Sequence, residues 1–303
     1  NLSHDHSDAH GSAEHYLASK AQLFMALPPG GTAVLNARDD NAELIAEVIP
    51  PGVELIRYAV PSRGELWARA DLAAHSIRVG LSGTCFELED SERFPGLPRT
   101  WSIRALGEVF VENALAALGA ALAASVPAPA AAAVLSSIAP PPGRFELVRE
   151  RPYAVVDYAH TPDALARTLA TARQLCRGTL TLVFGAGGNR DRAKRPLLGA
   201  AARAADRIVL TSDNPRDEDP EVIIDQIAEG VGAHANISRE VDRKRAIVLA
   251  LRDAGVEDWV LIGGRGHESH QESAGSKTAL SDAAIVREFG PAWINGVPRS
   301  DVR

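Results

Sequence analysis

The chain has 303 residues, 46% hydrophobic and 23% charged, the make-up of a globular protein with room for two domains. A net charge of -7 gives no basis for a nucleic-acid partner, and no apolar run reaches the ~18 residues that a membrane helix needs. The two cysteines, Cys85 and Cys176, have no metal or redox spacing and suit a reducing cytoplasm.

The first residue is Asn1 rather than Met and lies inside a motif-like segment, so further chain is expected before it. That segment, Asn1 to His10, is dense in ligand-type residues: His4, His6 and His10 read either as a metal site or as a polar loop. Ser12–Leu27 has apolar residues at helical spacing. A strand is expected at Thr32–Ala37, a helix at Asn41–Ile49 and a strand at Val53–Tyr58. Loose alternation from Glu65 to Glu89 suggests a β-meander, and helices follow at Glu108–Ser125 and Ala128–Ile138. Ala139-Pro140-Pro141-Pro142-Gly143 is a stiff helix-breaking linker, which puts the domain boundary at residues 140–143, between 1–139 and 144–303.

After the linker the pattern becomes regular. Strands are expected at Tyr153–Asp157, Thr179–Phe184, Arg207–Thr211 and Asp258–Ile262. Helices between them start at Thr161-Pro162-Asp163, near Arg195, at Pro220 and at Asp242, the last running to Gly255. Alternation of this kind means a doubly wound, mostly parallel α/β sheet. In such a sheet the strand-to-helix loops share one edge, where ligands bind. That edge carries Asp157, His160, Arg190, Asn214, Arg216 and Glu268. Two Arg, an Asn and a Glu suit a zwitterion, with Arg for carboxylate and Glu for ammonium. The alternative at this point is a solvated loop edge. The Gly185–Gly188 turn is G-x-G-G, not the dinucleotide fingerprint, and its glycines read as serving a tight turn and close backbone approach. No G-x-x-x-x-G-K-[ST] phosphate loop occurs in the 303 residues.

Seven segments taken together resemble the Mur ligases, ATP-dependent amide-bond ligases of peptidoglycan synthesis. They are Asn1-Leu2-Ser3…Asp5-His6…Asp8…His10-Gly11, Ala18-Ser19-Lys20, Pro142-Gly143-Arg144-Phe145-Glu146, Asp157–Asp163, Gly187-Gly188-Asn189-Arg190-Asp191…Lys194-Arg195-Pro196, Asp213-Asn214-Pro215-Arg216, and Gly264-Arg265-Gly266-His267-Glu268. The resemblance implies a fold in which part of the central ATPase domain precedes a Rossmann-like carboxyl-terminal domain. It implies that ATP and Mg²⁺ serve as cofactors, that Lys20 is carbamylated, and that His6 and Lys20 serve the metal. Arg144 and Asp157 match nucleotide contacts, Asp157 towards the ribose; Tyr158 and His160 lie beside them, and Asn113 matches an adenine-site asparagine.

Asp213-Asn214-Pro215-Arg216 resembles the signature of members that select meso-diaminopimelate. The resemblance then implies that Arg190 and Arg216 hold the distal carboxylate and that Glu268 and the Gly264 carbonyl hold its ammonium. Lysine would leave a buried Arg unpaired. The implied reaction joins this amino acid to UDP-N-acetylmuramoyl-L-alanyl-D-glutamate through an acyl phosphate, in a cytoplasmic monomer serving cell-wall growth, cell shape and division. Three departures stand against the pattern: the family's phosphate loop and UDP-sugar domain are absent, Phe110 replaces an asparagine, and Arg265 replaces a lysine, read as a mild change. They leave open a relative with another amino acid or acceptor, or a non-catalytic amino-acid-binding module.

Overall fold

The computed structural model describes residues 13–61, 65–233 and 236–290 and the backbone of two short strands at 293–294 and 297–298. The chain divides into two compact units, Asn1–Ala139 and Pro140–Arg303.

In the first unit, α1 (Ala13–Met25), β1 (Thr32–Asn36), α2 (Asp40–Glu47) and β2 (Glu54–Ala59) come first. β3 (Leu72–Gly80), β4 (Gly83–Leu88), β5 (Thr100–Ile103), α3 (Glu108–Ala123) and α4 (Ala128–Ser137) complete it. The sheet order is β1-β2-β3-β4-β5. The first three strands are parallel and the last three antiparallel, so the expected meander grows from a parallel neighbour. α3 lies on β1 to β4, and its Val111, Leu115 and Leu118 bury against Ile56, Leu72, Phe86 and Trp101. Each such large side chain contributes roughly 1.5–3 kcal/mol.

The second unit runs β6 (Glu146–Glu150), β7 (Tyr153–Val156), α5 (Pro162–Leu175), β8 (Leu180–Phe184), α6 (Lys194–Ala202), β9 (Arg207–Leu210), α7 (Pro220–Val231), β10 (Ile237–Arg239), α8 (Arg243–Arg252) and β11 (Trp259–Ile262). A polar hairpin, β12 (His270–Ser273) with β13 (Ser276–Ala279), and α9 (Asp282–Glu288) follow, then β14 (Trp293–Ile294) and β15 (Val297–Pro298). The large sheet has the order β10-β9-β8-β11-β7-β6, with only β6 antiparallel. β8 and β11 are buried at every residue, as strands covered on both faces must be. One face is sealed by α8 and α9 over Val156, Val183, Val260 and Ile262. Side chains of alternate parity, Val155, Leu182 and Leu261, are fully buried on the opposite face, where α5 packs on β11.

The helices begin where the sequence places caps. Thr161, Asp219, Asp242 and Ser281 accept from backbone N–H groups of the first turn, and Pro162 and Pro220 occupy first helical positions. The helix from Asp242 ends at Arg252 rather than Gly255, because the Gly255 amide is turned to the Asp258 carboxylate. Register then positions the functional edge. Ile262 is abreast of both Val156 and Val183, and Val183 of Val209. The loops after β7, β8, β9 and β11 therefore leave the sheet side by side.

Candidate active site

The loop after β7 is tied to the linker strand. Asp157 is buried, and its carboxylate accepts from the Phe145 amide (2.7 Å), the Ala159 amide (2.9 Å) and the Thr168 hydroxyl (3.0 Å). Those three bonds join the Gly143–Glu146 segment, the loop and α5. Gly143, at φ +66°, lies so close to Gly266 that a Cβ on either would strike the other's backbone. This contact fixes the linker segment against the loop after β11. Above it the Arg144 guanidinium sits 4.4 Å over the Tyr158 ring, and that ring meets those of His160 (4.6 Å) and His267 (5.5 Å). His160 Nδ1 lies 2.8 Å from the Tyr158 carbonyl oxygen. A cation and three aromatic rings in one cluster suit a flat, anionic ligand.

The loop after β8 crosses the loop after β9 at backbone distance. A Cβ on Gly188 would fall on the Pro215 carbonyl, and the Gly188 amide donates to Asn214 O at 2.8 Å, so the glycines serve close approach. The Arg190 Cγ and Arg216 Nη1 both come up to the space that a Cβ on Gly187 would take. Behind them Arg195 is fully buried and forks onto Glu218 at 2.9 and 3.0 Å. The hydrogen bond from Arg195, aided by the Asn189 amide and Arg192, holds the Glu218 carboxyl down at about 2. Glu218 in turn receives the Asn189 amide at 2.6 Å, which orders the turn carrying Arg190.

Within Asp213-Asn214-Pro215-Arg216, Asn214 is a fully engaged hub. Its carboxamide donates to Glu268 (2.8 Å) and accepts from Arg265 Nη1 (3.1 Å) and the Glu272 amide (2.9 Å). Asp213 is buried, its carboxylate turned back to the Asn214 amide (2.7 Å) and against the Gly264 Cα. Two expectations are corrected here. Arg216 is not buried and unpaired without ligand: its side chain is 24% exposed, with Nη1 donating to Gly188 O (2.7 Å) and Nε 3.4 Å from Glu272. Nor is Arg265 a mild replacement for lysine. It is wholly buried, and its two terminal nitrogens reach Asp213 O, Asn214 Oδ1, His270 O and Leu280 O, which only a forked guanidinium can do. Burial, then the nearby Arg243 cation, lowers its affinity for its proton below that of an ordinary arginine.

Beneath these loops lies a pair that the sequence gives no reason to expect. Arg243, the first residue of α8, forks onto Asp282, the first of α9, at 2.8 and 2.9 Å, both side chains fully buried. Arg243 also donates to Ser212 O (3.2 Å) and Gly263 O (2.9 Å), the residues that open the loops after β9 and β11. Burial opposes its charge, but Asp282 outweighs this and raises its affinity for the proton.

In the first unit Lys20 is exposed on α1, its ammonium 5.3 Å from the Tyr16 ring centre. Asn113 is exposed on α3, one residue past Glu112, which is buried and accepts from Asn36 (2.7 Å). His4, His6 and His10 lie outside the described residues, and among those described no cluster of three or more His, Cys, Asp or Glu could hold a metal ion. No described helix is long and apolar enough to cross a membrane.

A parallel carboxyl-terminal sheet with this loop set defines a class, and comparison bears on it directly. Residues 1–121 match the Mur ligase middle domain and residues 143–266 the Mur ligase, glutamate ligase domain. The chain belongs to the Mur ligase family. It is 39% identical over 291 residues to the UDP-N-acetylmuramoyl-L-alanyl-D-glutamate--2,6-diaminopimelate ligase of Aquifex aeolicus, covering 95% of this chain and 57% of that protein. The enzyme of the same name from Synechococcus elongatus is 38% identical over 291 residues, with 95% and 56% covered. A solved structure of such a ligase superposes with a TM-score of 0.58 at 35% identity, over 95% of this chain and 58% of that one. The chain therefore spans just over half the length of the relatives it matches.

Proposed function

We propose that this chain is the middle and carboxyl-terminal part of an ATP-dependent ligase that joins meso-diaminopimelate to UDP-N-acetylmuramoyl-L-alanyl-D-glutamate. In this reading residues 1–139 belong to the ATP-binding domain, 140–143 are the linker, and 144–303 bind the amino acid. The observation that carries it is the arrangement of charge in the second unit. Arg190 and Arg216 both come up to Gly187, while Glu268 is fixed by the Asn214 carboxamide that belongs to the same loop as Arg216. Two arginines brought to one glycine, with a carboxylate tied to the adjoining loop, are the groups that the distal end of diaminopimelate needs, and the Gly264 carbonyl is assigned to its ammonium beside Glu268. Asp213, Asn214 and Pro215 shape the loop rather than supply charge. Anchored groups of this kind act by orienting the attacking amine.

The nucleotide is assigned to Arg144, Tyr158 and His160, where a cation over one ring and a second ring edge-on to it suit an anionic ligand, with Asp157 towards the ribose. Of the roughly four lone-pair sites of its carboxylate, one, on Oδ2, remains for that contact after three internal bonds. Asn113 is assigned to the adenine in the first unit. Lys20 is solvent-accessible and so open to carbamylation. As a free ammonium it repels a divalent cation; as a carbamate it would offer oxygen to Mg²⁺ together with His6. A bound Mg²⁺ would neutralise charge on the transferring phosphoryl group.

The test is calorimetric titration of the chain with meso-diaminopimelate and with L-lysine. Lysine lacks the distal carboxylate and one charge-assisted contact, so it is expected to bind about 10- to 100-fold more weakly. Equal or tighter lysine binding would move the assignment to a relative that uses another amino acid.

A further inference from the structure

The β12–β13 hairpin is mostly polar, yet β12 lies along the whole Asp213–Arg216 loop. Gln271 Nε2 donates to Ser212 Oγ (2.9 Å) and Asp213 O (2.6 Å), and the Glu272 amide donates to Asn214 Oδ1 (2.9 Å). At Arg216 the two segments pair as strands. The Arg216 amide donates to Glu272 O (3.0 Å) and the Ala274 amide donates to Arg216 O (2.6 Å). Arg216 itself stands at φ +51°, a left-handed conformation that a non-glycine residue keeps only when its surroundings impose it.

The side chains repeat the pairing. Glu272 Oε2 lies 3.4 Å from Arg216 Nε, while Nη1 gives one hydrogen to Gly188 O. A guanidinium can grip a carboxylate side-on through Nε and Nη2 or end-on through Nη1 and Nη2. The Glu272 carboxylate stands 3.4 Å from Nε as an ion-pair contact and so occupies the side-on edge of the guanidinium. The second Nη1 hydrogen and Nη2, which has no acceptor among the described residues, remain as an end-on fork.

We propose that Glu272 is a specificity-determining positioning residue: it holds Arg216 so that only the end-on fork is offered to the distal carboxylate of the amino-acid substrate. This rests on the assignment of Arg216 to that carboxylate. Glu272 is 40% exposed, so the pair adds little to stability, and its value lies in orientation.

The experiment compares the chain with Glu272→Ala and Glu272→Gln by calorimetry, with meso-diaminopimelate and L-lysine as probes. It also records the Arg216 Nε–Hε resonance without ligand, assigned by its loss in Arg216→Lys. Glu272→Ala is expected to bind diaminopimelate about tenfold more weakly, with lysine binding unchanged, and to shift the Hε resonance. Glu272→Gln keeps the size of the side chain beside Nε and is expected to stay within about threefold of the parent. Diaminopimelate binding unchanged in Glu272→Ala overturns the proposal whatever the resonance does. So does an equal loss for both amino acids, which would mark a general structural role. A parent that binds diaminopimelate no better than lysine defeats the substrate reading itself, and this inference with it. A selective parent with an unchanged Glu272→Ala defeats this inference alone.

Discussion

Replacing Arg216 with Ala is expected to weaken meso-diaminopimelate binding by about 100-fold and to change L-lysine binding by less than about threefold. The asymmetry follows from chemistry. On the proposed assignment Arg216 meets a group that diaminopimelate has and lysine lacks, whereas Glu268 meets an ammonium common to both. Arg216→Lys keeps the charge but not the fork and is expected to fall between parent and Ala. Arg192 is a suitable control, since it pairs with Glu218 from an exposed position. Arg192→Ala is expected to leave both affinities within about twofold, because the fork from the buried Arg195 still holds Glu218. Calorimetry on the four proteins decides the matter: equal losses of both amino acids in Arg216→Ala would place Arg216 in general support of the loop.

Asp282→Asn is expected to lower the unfolding free energy by about 3–5 kcal/mol. The side chain keeps its size and one acceptor oxygen, but Arg243 is left as a buried cation without its counter-charge. A buried pair adds little net stability over an apolar pair, yet breaking one side exposes the full desolvation cost. The damage should reach function as well, because Arg243 holds the Ser212 and Gly263 carbonyls that open two of the site loops. Ser281→Ala is the comparison: it removes only the cap bond to the Ala284 amide and is expected to cost about 1 kcal/mol. Urea unfolding measures both. An Asp282→Asn loss no larger than that of Ser281→Ala would mean that the Arg243 charge finds water or another carboxylate in solution.

The parallel sheet was legible because its strands are continuous apolar runs between capped helices. β8, Leu180–Phe184, and β11, Trp259–Ile262, could hardly be anything else. Four strand-to-helix loops on one edge follow from that topology, and with them the neighbourhood of Arg190, Asn214, Arg216 and Glu268. What escaped was structure without apolar periodicity. β10 is three residues long, and β6 is half-buried along most of its length. β12 and β13 carry no large apolar residue; the signal that was there is Ala274-Gly275, both at positive φ, between two four-residue runs. α9 also carried a readable start in Ser281-Asp282.

Burial of charge escaped for a different reason. Arg195, Arg243 and Arg265 look like any surface arginine in the sequence, yet all three are wholly buried. Their partners, Glu218, Asp282 and the Asn214 carboxamide, lie 23 to 51 residues away along the chain. Sequence spacing says nothing about pairings at that distance. The motifs point to Arg190, Arg216 and Glu268 and to the buried Asp157, Asp213 and Asn214, whereas the buried arginine pairings behind them are visible only in three dimensions.

The measurement that tests the central claim most directly is ATP-derived phosphate release by the protein expressed from its complete coding sequence. The assay supplies UDP-N-acetylmuramoyl-L-alanyl-D-glutamate with either meso-diaminopimelate or L-lysine. The account predicts release that requires the nucleotide dipeptide and is at least about tenfold faster with diaminopimelate than with lysine at equal, subsaturating concentration. Lysine-supported release as fast as that with diaminopimelate, or release that ignores the nucleotide dipeptide, would contradict it.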